Sequence, residues 1–226
     1  MMKEIDISNK KLFIFDWDGT LSNSIGMITA CVIETFQELN FPEISVEKAK
    51  SIIGLGVVQA IIVLTPGFSE QDRDLLAKTY KKNFQEKSSK GILLYPGVES
   101  ALTFLQNQGL KMAVATGKSR PGLERELSNS NLKPYFQATR TTDDCNAKPD
   151  PHMILDIMKE LDCIPKETIM IGDTTFDLEM AENAGVESIA ITGGAHSIEL
   201  LEKCKPLKSF SSFQDFSYFL TNEYSL

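Results

Sequence analysis

The sequence predicts an α/β fold, a mostly parallel sheet with helices on both faces, broken after its first strand by an inserted block of helices. Three observations carry this. Leu12, Phe13, Ile14 and Phe15 form an apolar run without alternation, as a strand buried on both faces requires, and the run ends at Asp16. From Tyr95 onward, short apolar runs alternate with helical stripes, the rhythm of parallel strands joined by right-handed crossovers. Between these two regions, residues 22–90 show helical spacing and no strand pattern.

After the first strand, Ile25, Ile28, Val32, Phe36 and Leu39 recur at helical spacing with Cys31 alongside, and Pro42 closes that helix. Ser45 is placed to cap a second helix through Ile53. Gly54-Leu55-Gly56 breaks the pattern, and residues 57–64 resume it up to Thr65-Pro66-Gly67. Ser69, with Asp72 three positions on, has the form of a capping box heading a long charged helix to about Lys87. Tyr95-Pro96-Gly97 then opens a helix carried by Val98, Ala101, Leu102 and Leu105 and ending at Gly109. A strand over residues 110–115 ends in Thr116-Gly117. There follow a helix around 122–130, a strand near 138–141, a helix over 151–161, a strand over 168–171, a helix around 176–184 stopped by Gly185, and a strand over 188–192. The tail from Ser209 is read as one more helix.

Composition bounds the partners. The 226 residues carry 42% hydrophobic and 24% charged side chains, which suits a folded core. No apolar run reaches the ~18 residues of a membrane span, and residues 1–6 lack a secretory apolar region, so the expected location is cytoplasmic. A net charge of −8 argues against nucleic acid or an anionic membrane as the main partner, while a small anionic substrate needs only a local cation or a metal. Cys31, Cys145, Cys163 and Cys204 show no C-x-x-C pairing and read as reduced thiols; with only His152 and His196 beside them, a zinc site is not expected. A monomer or a homodimer fits the chain.

The chemistry gathers where strands end, the edge at which open α/β sheets bind ligands. Asp16 and Asp18 close the first strand, Thr116 the second, and Gly172-Asp173-Thr174-Thr175-Phe176-Asp177 a later one, with Lys148 ahead of Pro149 at the mouth of a helix. Two neighbouring acids repel unless a cation offsets them, which suggests Mg²⁺. A carboxylate can attack phosphorus, Thr and Lys can neutralise phosphoryl oxygens, and further acids can complete an octahedral metal site. These residue types together describe phosphoryl transfer.

These four segments, in this order, resemble the four motifs of the haloacid dehalogenase (HAD) superfamily, and the resemblance covers nearly the whole chain. Within it, the phosphoglycolate phosphatase-like phosphatases are the most similar group. The resemblance implies a Rossmann-like parallel-sheet core over residues 1–21 and 91–226 and an all-helical C1 cap over residues 22–90. It implies a Mg²⁺-dependent phosphatase acting on a small phosphorylated metabolite, a phosphoglycolate-like one among them, through an aspartyl phosphate. Asp16 would be the nucleophile and a metal ligand. Asp18 would be the general acid and then the base, giving the metal its backbone carbonyl. Thr116 and Lys148 would grip the phosphoryl group, with Gly117 lending a backbone amide. Asp173 would bind the metal directly, and Asp177 would hold a metal-bound water or Lys148. An acid at position 18 matches the phosphate branch of the family, because dehalogenation needs no proton for an alkoxide leaving group.

Other positions leave alternatives. Gly54-Leu55-Gly56 is either a plain helix break or a cap turn lying over the active site and contributing Gly54 to substrate binding; it is no dinucleotide fingerprint. Gly117 stands where many relatives carry Asn. Lys118 and Arg120 are placed to bind a substrate carboxylate or simply to begin a helix, Asp143-Asp144 reads as a positioning loop, and His196 borders the pocket or lies on the surface. At Trp17 the backbone is expected to matter more than the ring. A phosphomutase of the same family and a receiver-like phosphorylatable domain are the competing functions; receivers lack a helical insertion after the first strand, so residues 22–90 count against the second.

Overall fold

A strand with no polar member has two apolar faces to bury, and the fold gives each a layer of helices. The computed structural model describes residues 7–89, 91 and 93–223; segment 1–6, the expected insertion boundary at residue 90 and the core's end at residue 226 lie outside them. Strand β1 (Leu12–Phe15) is fully buried. Phe13 and Phe15 join one apolar cluster, Leu12 and Ile14 the other, following the two-residue period of a strand.

Beside β1 run β2 (Lys111–Ala115), β3 (Ala138–Arg140), β4 (Thr168–Gly172), β5 (Glu187–Ile191) and β6 (Lys208–Phe210). Among the described residues they form one six-stranded sheet in the order β3-β2-β1-β4-β5-β6, every pairing parallel. The order reverses at β1, whose Phe15 pairs with Val114 on one side and Ile171 on the other. A crevice opens at such a reversal beyond the carboxyl ends of the strands, so the residues that follow β1, β2 and β4 are delivered to one place.

Between β1 and β2 lie α1 (Ile25–Glu38), α2 (Val46–Lys50), α3 (Val57–Leu64) and α4 (Glu70–Ser88). Ile25, Ile28, Val32 and Phe36 form the buried stripe of α1, and the chain leaves that helix through Asn40 at φ 53°. Ser45 and Ser69 cap α2 and α4 by accepting from the amides of Lys48 and Asp72. Helix α2 stops at Lys50, short of the expected Ile53, and residues 51–54 turn so that Ile52 and Ile53 reach the apolar interior of this helical block. That interior is separate from those of the sheet and includes Ile61 and Leu76. The chain enters and leaves the block through a neck in which Asn23 N–H donates to Leu93 O (2.8 Å) and Tyr95 N–H to Leu21 O (2.9 Å).

Helices α5 (Val98–Asn107), α6 (Arg120–Asn129), α7 (His152–Glu160) and α8 (Thr175–Asn183) cover the sheet. Leu102 of α5 and Leu123 of α6 pack with Phe15, while Ile154 of α7 and Met180 of α8 pack with Ile14. Fully burying one such side chain contributes about 1.5–3 kcal/mol. A single-turn helix α9 (Ile198–Leu201) was not expected from the sequence. The tail differs too: residues 208–210 form β6 on the edge of β5, and the helix, α10 (Phe213–Tyr218), begins only after Ser212 accepts from the Asp215 amide. A three-residue strand is too short to show alternation, whereas its partner β5 fixes it directly.

Candidate active site

The backbone turns sharply after β1, through Asp16-Trp17-Asp18-Gly19-Thr20. Gly19 has φ +91°, and a Cβ built on it would lie 2.1 Å from the Asp173 carboxylate; one on Gly194 would lie 2.2 Å from it. The Asp173 side chain therefore occupies a slot walled by bare backbone from two loops, where it accepts from Thr20 Oγ1 (3.0 Å) and the Ala195 amide (2.7 Å). Asp177 is fixed as the third residue of a capping box at the head of α8, with Thr174 N–H and Oγ1 donating to its Oδ2 at 3.1 and 2.7 Å.

Oxygens of Asp16, Asp173 and Asp177 lie within 4.8 Å of one another, all buried. Lys148 Nζ sits between two of them, 2.5 Å from Asp16 Oδ1 and 2.5 Å from Asp177 Oδ1, with no solvent exposure of its side chain. Burial pushes the Asp16 carboxyl up to about 7 against the pull of Lys148, with Asp177 adding to the rise. Burial, then Asp16 and Asp177, raise Asp173 well above the usual carboxylate range. Burial alone would lower the Lys148 ammonium, but the two carboxylates it touches hold it above its ordinary value. Ionised together, the three carboxylates would exceed the one ammonium by two negative charges, a repulsion that adds to burial in raising Asp16 and Asp173, and Asp16 Oδ2 is buried with no hydrogen-bond partner. A hard divalent cation with oxygen ligands fits that deficit in charge and in donor chemistry. Asp16 Oδ2 is the oxygen left without a partner; Asp173 accepts on both oxygens, from Thr20 and Ala195, and Asp177 on both, from Lys148 and Thr174.

Asp18 belongs to a second buried cluster. Its Oδ1 accepts from Ser24 Oγ (2.6 Å), and Lys118 Nζ donates to both carboxylate oxygens at 3.0 and 3.1 Å. Lys118 also pairs with Glu126 Oε1 at 2.7 Å, while Trp17 Nε1 donates to Glu126 Oε2. Burial works against the Lys118 charge, yet Asp18 and Glu126 together raise its ammonium above the ordinary value. Burial raises Glu126, with Lys118 opposing. Two sequence expectations are corrected here. Trp17 matters through its ring, which points into the apolar cluster below the sheet and fixes Glu126, because it alternates with Asp16 and Asp18 across the strand end. Lys118 is engaged within the protein and is not left free for a substrate carboxylate.

Glu126 was missed by the sequence reading. A signal for it existed: with Gly122, Leu123 and Leu127 it falls on the buried stripe of α6, where an acid needs a partner. Arg120 turns away, donating to Thr139 Oγ1 (2.6 Å) and Thr139 O (2.9 Å) and pairing with Asp144, so it is a structural tie. Asp143 accepts from the Arg120 amide at 2.7 Å, a positioning contact. His196 is buried rather than superficial and does not line the cavity below; its Nδ1 accepts from the Thr175 amide (3.0 Å) and its ring meets Phe176 edge-on.

The helical block lies directly on this site. A Cβ on Gly117 would approach Gly54 O to 2.6 Å and Leu55 O to 2.8 Å, so absence of a side chain at position 117 lets the 54–56 turn sit on the strand end. Gly54, at φ +99°, rests against Thr174. The 54–56 turn is therefore more than a helix break, because it packs against Gly117 at the end of β2. Between block and sheet is a cavity of about 530 Å³ whose floor includes Asp16, Asp18, Thr116, Gly117 and Lys118, and whose lining also includes Gly54. Thr116 Oγ1 accepts from the Lys118 amide at 3.2 Å. Lys148, Asp173 and Asp177 lie beneath that floor.

The family model described as haloacid dehalogenase-like hydrolase matches residues 13–191. The chain is 32% identical over 211 residues to the protein named "Probable phosphatase IndB" of Dickeya dadantii (strain 3937), with 91% of each chain covered. It is 27% identical over 231 residues to a phosphoglycolate phosphatase of Salmonella typhi, with 92% of each covered. Among solved structures, a hydrolase from Pseudomonas syringae superposes with a TM-score of 0.85 at 23% identity, over 96% of this chain and 100% of the other, a likeness of fold.

Proposed function

The chain belongs to the haloacid dehalogenase-like hydrolase family, and from that premise we propose that it is a Mg²⁺-dependent phosphatase for a small phosphomonoester, working through a phosphate ester of Asp16. In this reading residues 22–90 are a cap over a core made of residues 1–21 and 91–226. The observation that supports it most is the pairing, on one cavity floor, of a buried carboxylate with an unpartnered oxygen (Asp16) and a second carboxylate two residues away held by a lysine (Asp18). One is equipped to attack and the other to handle a proton.

The proposed reaction has two displacements. An Asp16 oxygen attacks phosphorus, the bond between phosphorus and the ester oxygen breaks, and the departing alkoxide takes a proton from Asp18. Lys118 lies against both Asp18 oxygens and stabilises the carboxylate that this transfer creates. Asp18 then takes a proton from water as the water oxygen attacks the phosphorus, which frees Asp16 and yields inorganic phosphate. The net change is one water consumed, one alcohol and one phosphate released. Lys148 fixes the Asp16 carboxylate from behind, and the Thr116 hydroxyl faces the phosphoryl position from the floor. Mg²⁺, when bound by Asp16, Asp173 and the Asp18 carbonyl, supplies positive charge against the phosphoryl oxygens. Roof residues exclude bulk water while the ester is held.

Release of phosphate from p-nitrophenyl phosphate, with Mg²⁺ and with chelator, tests the proposal. Metal-dependent turnover that Asp16→Asn abolishes is expected; turnover by Asp16→Asn at the wild-type rate would sink it. Similarity to a phosphoglycolate phosphatase places phosphoglycolate in the substrate panel.

A further inference from the structure

The space above Asp16 and Asp18 is chemically one-sided. At about 530 Å³ it is within the ~300–1,000 Å³ typical of small-molecule sites, and it extends well beyond the phosphoryl position. Its roof is mostly apolar, with Ile28 and Val32 from α1, Leu55 and Ile61 from the turn and α3, and Leu76 and Phe84 from α4, and with Thr35, Gln59, Tyr80 and Gln85 among them. Four of these, Ile28, Val32, Ile61 and Leu76, belong to the apolar interior of the helical block itself. Their side chains offer no hydrogen bond to anything beneath them.

Lys118 and Arg120, the two cations just past Gly117, are committed elsewhere. Lys118 is bound by Asp18 and Glu126, with its Nζ 5.0 Å from the Phe84 ring centroid. Arg120 is tied to Thr139 and Asp144 and is absent from the lining. Among the described residues the lining has two more cations: Lys81, which is exposed, and Arg125, which reaches to 3.5 Å from Ser88 Oγ. A carboxylate pushed against the six apolar side chains would lose its hydration and gain no partner from them, whereas carbon surface would lose only its contact with water.

We propose that the physiological substrate is the phosphate monoester of an uncharged, largely apolar alcohol, its phosphate on Asp16 and Thr116 and its carbon skeleton against Ile28, Val32, Ile61, Leu76 and Phe84. This rests on the phosphatase reading and narrows it, because the same floor would serve any phosphomonoester and the roof would not.

A homologous series of primary alkyl phosphates tests this with the intact protein and added Mg²⁺. The leaving alcohols have nearly the same basicity, so the chemical step is held constant while buried carbon increases. From ethyl through butyl to hexyl phosphate, kcat/KM should rise by about fourfold per methylene at full burial, and hexyl phosphate should exceed phosphoglycolate by at least tenfold. Binding of the matching alkyl phosphonates, measured calorimetrically, should tighten along the same series. Leu64→Phe, which adds bulk to the lining from a half-buried position, should flatten the gain with length; if that variant does not fold, the wild-type series decides. A flat series, or phosphoglycolate outrunning hexyl phosphate, overturns the inference and leaves the phosphatase reading intact. Absence of metal-dependent turnover with every ester, p-nitrophenyl phosphate included, overturns the phosphatase reading and the inference with it.

Discussion

The floor and the roof of the cavity are built from opposite materials. Below, Asp16, Asp18, Asp173 and Asp177 are held by lysines, hydroxyls and backbone amides, with the first-named group of each cluster pinned to a strand end. Above, the side chains that three helices bring to the same space are mostly aliphatic and aromatic, with a few polar ones such as Thr35 and Gln59 among them. Hydrogen bonds and ion pairs fix atoms to within a fraction of an ångström, as a displacement at phosphorus demands; apolar packing fixes only volume and shape. On the proposed reading the chemistry belongs to the sheet and the choice of leaving group to the insertion, and five experiments press on that contrast.

Asp16→Asn should reduce kcat by at least about a thousandfold, as loss of a nucleophile does elsewhere, while alkyl phosphonate affinity along the chain-length series keeps its slope. A lost slope would mean that the floor also selects. Lys148→Ala strikes the floor's packing: two buried carboxylates lose their shared ammonium, at a cost of about 3–5 kcal/mol, read as a lower denaturation midpoint. An unchanged midpoint would show that Asp16 and Asp177 take up protons or solvent freely, against the burial described. Mg²⁺ at a hundred times its dissociation constant should stabilise the wild type by about 2.7 kcal/mol. In Asp173→Asn that gain should be lost or sharply reduced, and a full gain in the variant places the cation elsewhere.

Trp17→Phe keeps the apolar ring but leaves Glu126 Oε2 without its donor, at about 1–3 kcal/mol of stability. Because Glu126 contacts the Lys118 that holds Asp18, kcat should fall with KM nearly constant; a change confined to KM would contradict that chain of contacts. Gly117→Ala is the mildest and the most direct probe of the junction. Its Cβ would press on the carbonyls of Gly54 and Leu55, lifting the turn and loosening discrimination between short and long alkyl esters by a few-fold, roughly 1 kcal/mol. Equal loss on every ester would mean the turn serves the floor instead.

How much of this was legible beforehand follows from the same division. Asp16, Thr116 and Asp173 stand out because strand ends are marked by apolar runs, Lys148 stands out by its place before Pro149 at a helix mouth, and the parallel sheet and inserted helices declare themselves by period. Strand β6 was hidden because three residues cannot alternate, and its place depends on the edge of β5. Glu126 was hidden among the charges of α6 although its stripe position distinguished it from Glu124. The engagement of Lys118 and the ring of Trp17 depend on contacts 100 and 109 residues away in the chain, which no local pattern encodes. The cavity above the acids is a property of three helices packed over the sheet and is written in no single segment.

The order of the strands has a bearing on how the molecule comes into being. Strand β1 is central, yet its two neighbours begin at residues 111 and 168, and the charges that neutralise or crowd Asp16 arrive at residues 148, 173 and 177. A chain emerging from the ribosome therefore presents Phe13 and Phe15 long before anything exists to cover them, and parallel partners at such separations close slowly. The helical block, whose entry and exit lie side by side, is complete much earlier. The helical block can take shape while synthesis continues, whereas the buried acid cluster around Asp16 can close only after residues 148–177 have been made.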